Sequence, residues 1–528
     1  MSLLLRPATA HTRAPLRLAV LGLSARQLAE RAREEGCEVV LAADLFGDAD
    51  TRRASRRWCD LRLQADETVQ PGLEAGLQLS EPGFAAALRQ ARAAGAAGWL
   101  AGAGFEAQPR LLALGARLLP LFGTPPLAQQ AVRRPQAFFG LLARHGLPHP
   151  DWLPLPATDE EIAALGSGWL LKQAHASGGA HVRRWQLGEP APAAGWAEGS
   201  YLQCHMPGQP MSATFVADGH VAELLGYNRQ IVAGRGARPW RFAGVIGPLP
   251  VPAAVRSVIE QALAVLVPAF GLRGLCSLDF LWDGHGLPQL LEVNARPPAS
   301  LALYPQAAPL SAHLAACWPP VDDAGTPAWP ASPVAAIARA VATLAPAEMS
   351  AGERAGAAVL RGDGLPASDT LPQAEAGAWI GLCGGGAPGH GPAPVRGLRP
   401  PAGPATLRGL RLVCALQGLT CTPALANALA AQPGCHDLPQ PGAWLPAGQP
   451  VCSISAIGVD EGSLQDQLQQ RALGVQRLLE RHARAGDAAA APASSSPSPS
   501  PLPSPVASDP SASPSPSAIP STVAPTTG

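Results

Sequence analysis

The chain has 528 residues, enough for three or four domains, because single hydrophobic cores stop growing near about 250 to 300 residues. Its 39 basic side chains balance 39 acidic ones and charged residues make up only 15 %, so there is no basic field of the kind that recruits nucleic acid or an anionic membrane. The ten cysteines are scattered without a CxxC pair, which excludes a zinc ribbon or a short disulfide framework and fits reduced thiols.

In chain order, MSLLLRPATAHTRAP (1–15) has an apolar run too short for a signal peptide, and no later stretch reads as 18 apolar residues. A soluble, cytoplasmic protein is the expectation. Residues 16–44, LRLAVLGLSARQLAERAREEGCEVVLAAD, read strand, turn, helix, strand, with the helix ending near Gly36. The turn GLSAR lacks the GxGxxG that brings a pyrophosphate to the backbone, so this unit reads as an α/β scaffold and not as a dinucleotide site. Arg52, Arg53, Arg56 and Arg57 read as one solvated helix face. WLAGAG (99–104) and FEAQPRLLALGARL continue the layer pattern, with Phe105 and Glu106 at a strand end where such sheets place ligands.

Residues 127–149 read as a helix pair ending at His145-Gly146, stopped by Pro148 and Pro150. Strand-like segments follow: WLLKQ, YLQCH, MSATFVADGHVAELLGY, GLCSLDFLW and PQLLEVN, with one helix at 252–270. Residues 384–406 read as a flexible insertion, and 407–485 as strands (LRLVCAL, PVCSISAIG) closed by a helix. The Pro/Ser/Ala tail has too little apolar surface to offset ordering and reads as disordered.

The segment GLCSLDFLWDGHGLPQLLEVNARP (274–297) carries the chemistry. Asp283-Gly284 and Gly286 between two apolar runs predict a hairpin; a turn centred between His285 and Gly286 sets Asp279 opposite Glu292. Asn294 falls on the same face. Two carboxylates and an amide oxygen on apolar strands suit Mg²⁺, which takes oxygen ligands and leaves positions for water and nucleotide phosphates. A solvent-facing strand with alternating polar residues gives the same pattern. The chain contains one lysine, Lys172, at the end of WLLKQ and followed by Ser177, Gly178 and Gly179. Lysine meets phosphate as a compact point charge where guanidinium requires a planar fork, and a glycine loop can close its N–H groups over phosphates. Chance survival of one lysine in an arginine-biased composition is the plain alternative.

The order of a lysine strand with a Gly-rich loop, then YLQCHMPGQPMSATFVADG, SLDF and LEVNARP, resembles the ATP-grasp superfamily over about residues 125–320. GLSARQLAERAREEG, DLFGDADTRR, GAGFEAQP and PAGQPVCSISAIG are similar to predicted ATP-dependent carboligases related to biotin carboxylase, the tetrahydromethanopterin-associated branch. The resemblance implies an α/β and α+β multidomain chain: a Rossmann-like pre-ATP-grasp domain (1–124), an ATP-grasp domain (125–320), an Ala/Pro/Gly-rich connection (321–406), a small C-terminal domain (407–485) and a disordered tail (486–528). Site by site, it implies Lys172 on the α/β phosphates, Ser177, Gly178 and Gly179 in the phosphate loop, Asp279, Glu292 and Asn294 on Mg²⁺, and Arg296 at the reacting centre. The hinge departs from the pattern: Gln203-Cys204 stands where an acid is common, leaving adenine to the backbone of 202–204. The implied activity is ATP-dependent activation of a small-molecule carboxylate for attack by an amine. A phosphotransferase and a non-catalytic ATP-binding module are the alternatives. Arg229, Arg235 and Arg238 are candidates for anchoring a second carboxylate or for a solvated loop, and oligomeric state is left open.

Overall fold

The computed structural model describes residues 15–61, 79–317 apart from 180, 187, 190, 191, 193, 194 and 235–238, then 396–397 and 406–490. Most of 321–406, the tail beyond Ala490, Arg235 and Arg238 thus lie outside the described residues. The chain forms a unit spanning 1–484 and a second, 485–528, whose described part (485–490) is helical.

The N-terminal layer grows from short buried strands alternating with amphipathic helices. Strands β1 (Arg17–Leu21), β2 (Glu38–Asp44), β3 (Trp58–Asp60), β4 (Gly98–Ala101) and β5 (Leu121–Phe122) form a sheet in the order β3-β2-β1-β4-β5. All of its pairings are parallel. Helices α1 (Arg26–Glu34), α2 (Ala49–Ala54), α3 (Glu81–Ala93) and α4 (Pro109–Leu118) connect them. Strand order reverses between β1 and β4, the point where open α/β sheets leave a crevice beyond the strand ends. The arginine run is not one helix face: Arg52 and Arg53 are on α2, whereas Arg56 lies beyond it and pairs with Glu38 at 2.7 Å.

Asp44 ends β2, where a dinucleotide fold would present an acid to ribose. Here its carboxylate is fully buried and accepts from Ala25 N (3.0 Å), Gly47 N (2.7 Å), Phe46 N (3.1 Å) and Trp58 Nε1 (2.8 Å). It has no capacity left for a ligand.

Helices α5 (Pro126–Arg133) and α6 (Pro135–Arg144) realise the expected pair. A four-stranded sheet follows, ordered β6-β9-β7-β8, from β6 (Trp152–Pro154), β7 (Trp169–Gln173), β8 (Arg183–Arg184) and β9 (Ser200–Cys204), with α7 (Asp159–Ala164) between β6 and β7. The large sheet then takes β10 (Gln209–Asp218), β11 (Ala222–Val232), β12 (Phe242–Leu249), β13 (Arg273–Trp282) and β14 (Gln289–Asn294). Strand β12, FAGVIGPL, escaped the sequence reading because its glycines and proline read as loop. Gly244 is in fact required there, since a Cβ would stand 2.1 Å from Leu410 O on the neighbouring strand.

Helix α8 (Ala253–Phe270) packs on this sheet. Among the described residues it is the one helix long and apolar enough to cross a membrane, which corrects the expectation that no stretch reaches 18 apolar residues, although the helix itself is expected at 252–270. Val255, Val258, Ile259, Ala262, Leu263, Leu266, Val267 and Phe270 are buried in the core that also holds Phe215, Leu278 and Phe280. At roughly 1.5–3 kcal/mol for each large side chain removed from water, that face anchors the sheet.

After α9 (Pro309–Cys317), β15 (Arg396–Gly397) pairs with β11, and β16 (Leu407–Cys414), β20 (Pro450–Gly458) and β18 (Cys435–His436) extend the same sheet: β14-β13-β10-β11-β12-β16-β20-β18. The region 407–485 therefore continues the central sheet. It also carries β17 (Leu419–Thr420), α10 (Pro423–Ala430) and β19 (Trp444–Leu445), and ends in α11 (Glu461–Ala490).

Asp437, just after β18, holds the C-terminal region to the first layer. It has positive φ (56°), accepts from Ser24 Oγ (2.6 Å), Arg26 Nε (3.1 Å) and Ser453 Oγ, and its own N–H donates to Asp48 Oδ2 (2.7 Å). Its side chain is 14 % exposed and that of Arg26 8 %, so the pair is largely out of water. Burial alone would raise the Asp437 carboxyl, but Arg26 outweighs it and holds the pKa below the usual range. Asp437→Asn should cost roughly 1.5–3 kcal/mol of stability at neutral pH, read by chemical denaturation. Because the folded pKa is depressed, the wild-type advantage is present above the unfolded value of about 4 and should fade as pH falls through the folded pKa.

Candidate functional site

The hairpin β13–β14 places Asp279 opposite Glu292 and Ser277 opposite Asn294. Asn294 Nδ2 donates to Asp279 Oδ2 (3.1 Å), and Asp279 also takes bonds from Ser277 Oγ (3.4 Å) and the Gln230 side chain. Burial and then the charge of Glu292 push Asp279 up to about 7. Burial would raise Glu292 too, but the permanent charges of Arg133, Lys172 and Arg296 hold it low. One carboxylate is thus stably ionised and the second is held back by its neighbour, a state that a divalent cation would relieve.

The donors are hard oxygens: two carboxylates plus the Asn294 amide oxygen, left over because its NH₂ faces Asp279. Among the described residues no group of three or more His, Cys, Asp or Glu is placed to hold a metal ion. Two acids with an amide suit Mg²⁺ retaining water or phosphate ligands better than a closed zinc site.

Across the cleft, antiparallel pairing of β7 with β9 sets Lys172 beside Tyr201 and Leu170 beside Gln203. Lys172 is 7 % exposed, Nζ donates to Gln203 Oε1 (3.1 Å) and stands 5.7 Å from the Tyr201 ring centre. Burial opposes the ammonium, yet Tyr201, Glu292 and Asp279 together raise its pKa. The chain's solitary lysine therefore points inward, charged and facing the acidic pair. Because an ammonium only donates, Gln203 must turn its oxygen to it, and Gln203 Nε2 is left buried without a protein partner. At the hinge, Cys204 N–H is taken by Asp151 O (2.8 Å) and His205 N–H by Gly168 O (2.8 Å). These backbone donors are spent in the sheet, so the free donor is the Gln203 amide.

Gly178 (φ 71°) and Gly179 (φ 70°) adopt left-handed conformations and line the cleft, whereas Ser177 does not line it and its backbone hydrogen-bonds the His181 ring. The loop is docked on the start of β12: Phe242 N donates to Gly178 O (2.8 Å), and a Cβ on Gly179 would lie 2.1 Å from Trp240 O. The cleft, about 540 Å³, runs between the two sheets from Lys172, Gln203 and Cys204 to Asp279, Glu292, Asn294 and Arg296.

Two side chains near the acidic pair, Arg133 and His181, carry no local signal in the sequence. Arg133 on α5 donates to Ala174 O (2.9 Å) and Ala176 O, tying the chain after β7 and directing positive charge at Glu292. His181 is half-buried, its Nδ1 atom buried and unpartnered, and desolvation first of all pushes its pKa down to about 4, so the ring is neutral. Arg296 (17 % exposed) forms an ion pair through Nε with Glu106 of the N-terminal layer. Glu106 was noted as a strand-end residue, but nothing local announced its partner 190 positions away. Arg229 is committed to Glu461 (2.6 Å) and Gln465 (3.1 Å) on α11.

Gly179→Ala should disturb the loop, through both a strained φ and the clash with a backbone carbonyl, lowering stability by about 1–3 kcal/mol in thermal or chemical unfolding. Gly178→Ala, which meets no atom within 4 Å, carries the φ penalty alone and should cost less.

Residues 138–300 match the family model of the ATP-grasp domain. No curated protein matches the chain. Similar solved structures include the biotin carboxylase domain of a single-chain bacterial carboxylase (16 % identity, 87 % of this chain and 93 % of that one, TM-score 0.51). Biotin carboxylase from Campylobacter jejuni aligns at 11 % identity over 85 % of this chain and 89 % of that one, TM-score 0.51. N5-carboxyaminoimidazole synthase from Aspergillus clavatus, in complex with ADP and its ribonucleotide, aligns at 13 % identity over 87 % and 99 %, TM-score 0.50. At these identities the likeness is one of fold, and it agrees with the ATP-grasp match over residues 138–300.

Proposed function

We propose that the protein is an ATP- and Mg²⁺-dependent ligase that activates a small-molecule carboxylate as an acyl phosphate for attack by an amine or similar nucleophile. The observation that carries this reading is the burial of the chain's one lysine in a cleft directly opposite a like-charged carboxylate pair. The named relatives, biotin carboxylases and an N5-carboxyaminoimidazole synthase, accord with carboxylate chemistry driven by ATP.

In this reading Lys172 binds nucleotide phosphates as a point charge, and the Gly178–Gly179 turn presents backbone to them. Gln203 Nε2 offers a donor at the base end. Asp279, Glu292 and Asn294 would hold Mg²⁺, which when bound supplies charge neutralisation along the phosphate chain. The substrate carboxylate oxygen attacks the γ-phosphorus in line, the bond to ADP breaks, and Arg296 stabilises charge on the group in transit. The amine then displaces phosphate from the activated carbonyl and loses a proton.

One-carbon metabolism or cofactor synthesis in the cytoplasm is the setting we propose, supported by the resemblance of the sequence to the tetrahydromethanopterin-associated carboligases. A phosphotransferase of the same fold would release ADP without an amine, so dependence of ADP release on added amines separates the two. The Gln203-Cys204 hinge favours a non-catalytic nucleotide-binding module as a further reading, and any turnover rules it out.

Purified wild-type protein should show a thermal shift with MgATP and release ADP when carboxylate and amine pools are supplied. Glu292→Gln should lower that release by about 10²–10³-fold with unchanged circular dichroism, the scale of losing one preorganised electrostatic contact. Undiminished release by this variant would refute the assignment.

A further inference from the structure

We infer that Glu106 is a positioning residue through which the N-terminal α/β layer aims Arg296 into the cleft and keeps it off the Asp279–Glu292 pair; this rests on reading the cleft as a phosphoryl-transfer site.

The side chain of Glu106 is 4 % exposed and does not line the cleft, so it meets Arg296 from behind. Its position is over-determined. The residue before it, Phe105, is locked in an aromatic triangle, its ring centre 5.5 Å from that of Trp99 and 5.4 Å from that of Phe84. Gly104 (φ 113°) bends the chain where a Cβ would strike Leu23 at 2.7 Å, and its N–H donates to Glu106 Oε2 (2.7 Å). The other carboxylate oxygen takes Arg296 Nε. Burial would raise the Glu106 carboxyl, but Arg296 and then Arg133 hold it at about 2, so the negative charge is permanent across the working range of pH.

Arg296 follows β14 by two residues and feels three carboxylates: Glu106 first, then Asp279 and Glu292. A guanidinium released from Glu106 has those two acids as its remaining partners, and moving there would neutralise oxygens reserved for a cation. With Nε committed to Glu106 and Nη1 to Pro297 O (3.3 Å), Nη2 remains to address a ligand oxygen. Glu106 lies in the turn after β4, beside the switch point of the first sheet, so a crevice that binds no dinucleotide serves as a mount.

The test needs no knowledge of the substrate. Affinity is measured for MgADP alone and for MgADP with aluminium fluoride, a mimic of the phosphoryl group in flight. Glu106→Gln, which keeps an acceptor for Gly104 N–H, should weaken the fluoroaluminate complex by about tenfold or more while leaving MgADP affinity within about twofold. Glu106→Asp, charged but one methylene short, should fall between, and takes over the comparison should the glutamine variant not fold. In a double-mutant cycle, Glu106→Gln added to Arg296→Lys should cause little further loss, since one acts through the other. Equal weakening of both complexes, or losses that simply multiply, would show a merely structural role and overturn the inference. Wild-type protein that binds MgADP no tighter with aluminium fluoride would overturn the phosphoryl-transfer reading and this one with it. Wild-type discrimination that survives in Glu106→Gln removes the role of Glu106 alone.

Discussion

Two carboxylates facing one another across adjacent strands inside a protein are unstable by themselves, and the surroundings of Asp279 and Glu292 are organised around that fact. Lys172 arrives from the small sheet, Arg133 from a helix, and Arg296 from the end of the strand that carries Glu292. These three cations lower Glu292, while Asp279 is kept high by burial and by its neighbour. Two acids and three cations thus converge on one cleft, and Asp279 is the acid whose charge is least compensated. Under the proposed function, a magnesium-bound polyphosphate would meet the acids and the cations together.

The first layer has a different part from the one its βαβ pattern would give it. Its strand-end acid, Asp44, is saturated by three backbone N–H groups and Trp58, and the loop after β1 is engaged through Ser24 by Asp437. Its link to the cleft is Glu106, which pairs with Arg296 from behind the lining. The region after residue 406 is similarly integrated: β16, β20 and β18 lengthen the sheet that holds the acidic pair, and α11 takes up Arg229. Rigidity at the site draws on both ends of the chain.

The parts of this architecture visible in the sequence were those fixed by short-range rules. The hairpin register of Asp279 against Glu292 followed from Asp283-Gly284 and Gly286 bounding two apolar runs, and Asp283 indeed closes the turn by accepting from His285 N and Gly286 N. Helix α8 and the pair α5–α6 followed from apolar periodicity and flanking prolines. Strand β12 did not, because its glycine is dictated by the closeness of β16, a strand more than 150 residues away. The backbone of 202–204 is the adenine contact the sequence suggests, and only the strand pairing shows that the Cys204 N–H is already taken.

By itself the sequence determined the acidic hairpin, the singular lysine, the glycine turn and a layered α/β scaffold, since each depends on spacing, composition or backbone sterics within a few residues. Only the tertiary structure decided that Lys172 faces those acids, that Arg133 and His181 join them, and that Glu106 backs Arg296. Electrostatic partners are selected by distance through space in a medium of low dielectric, and distance along the chain carries no record of it.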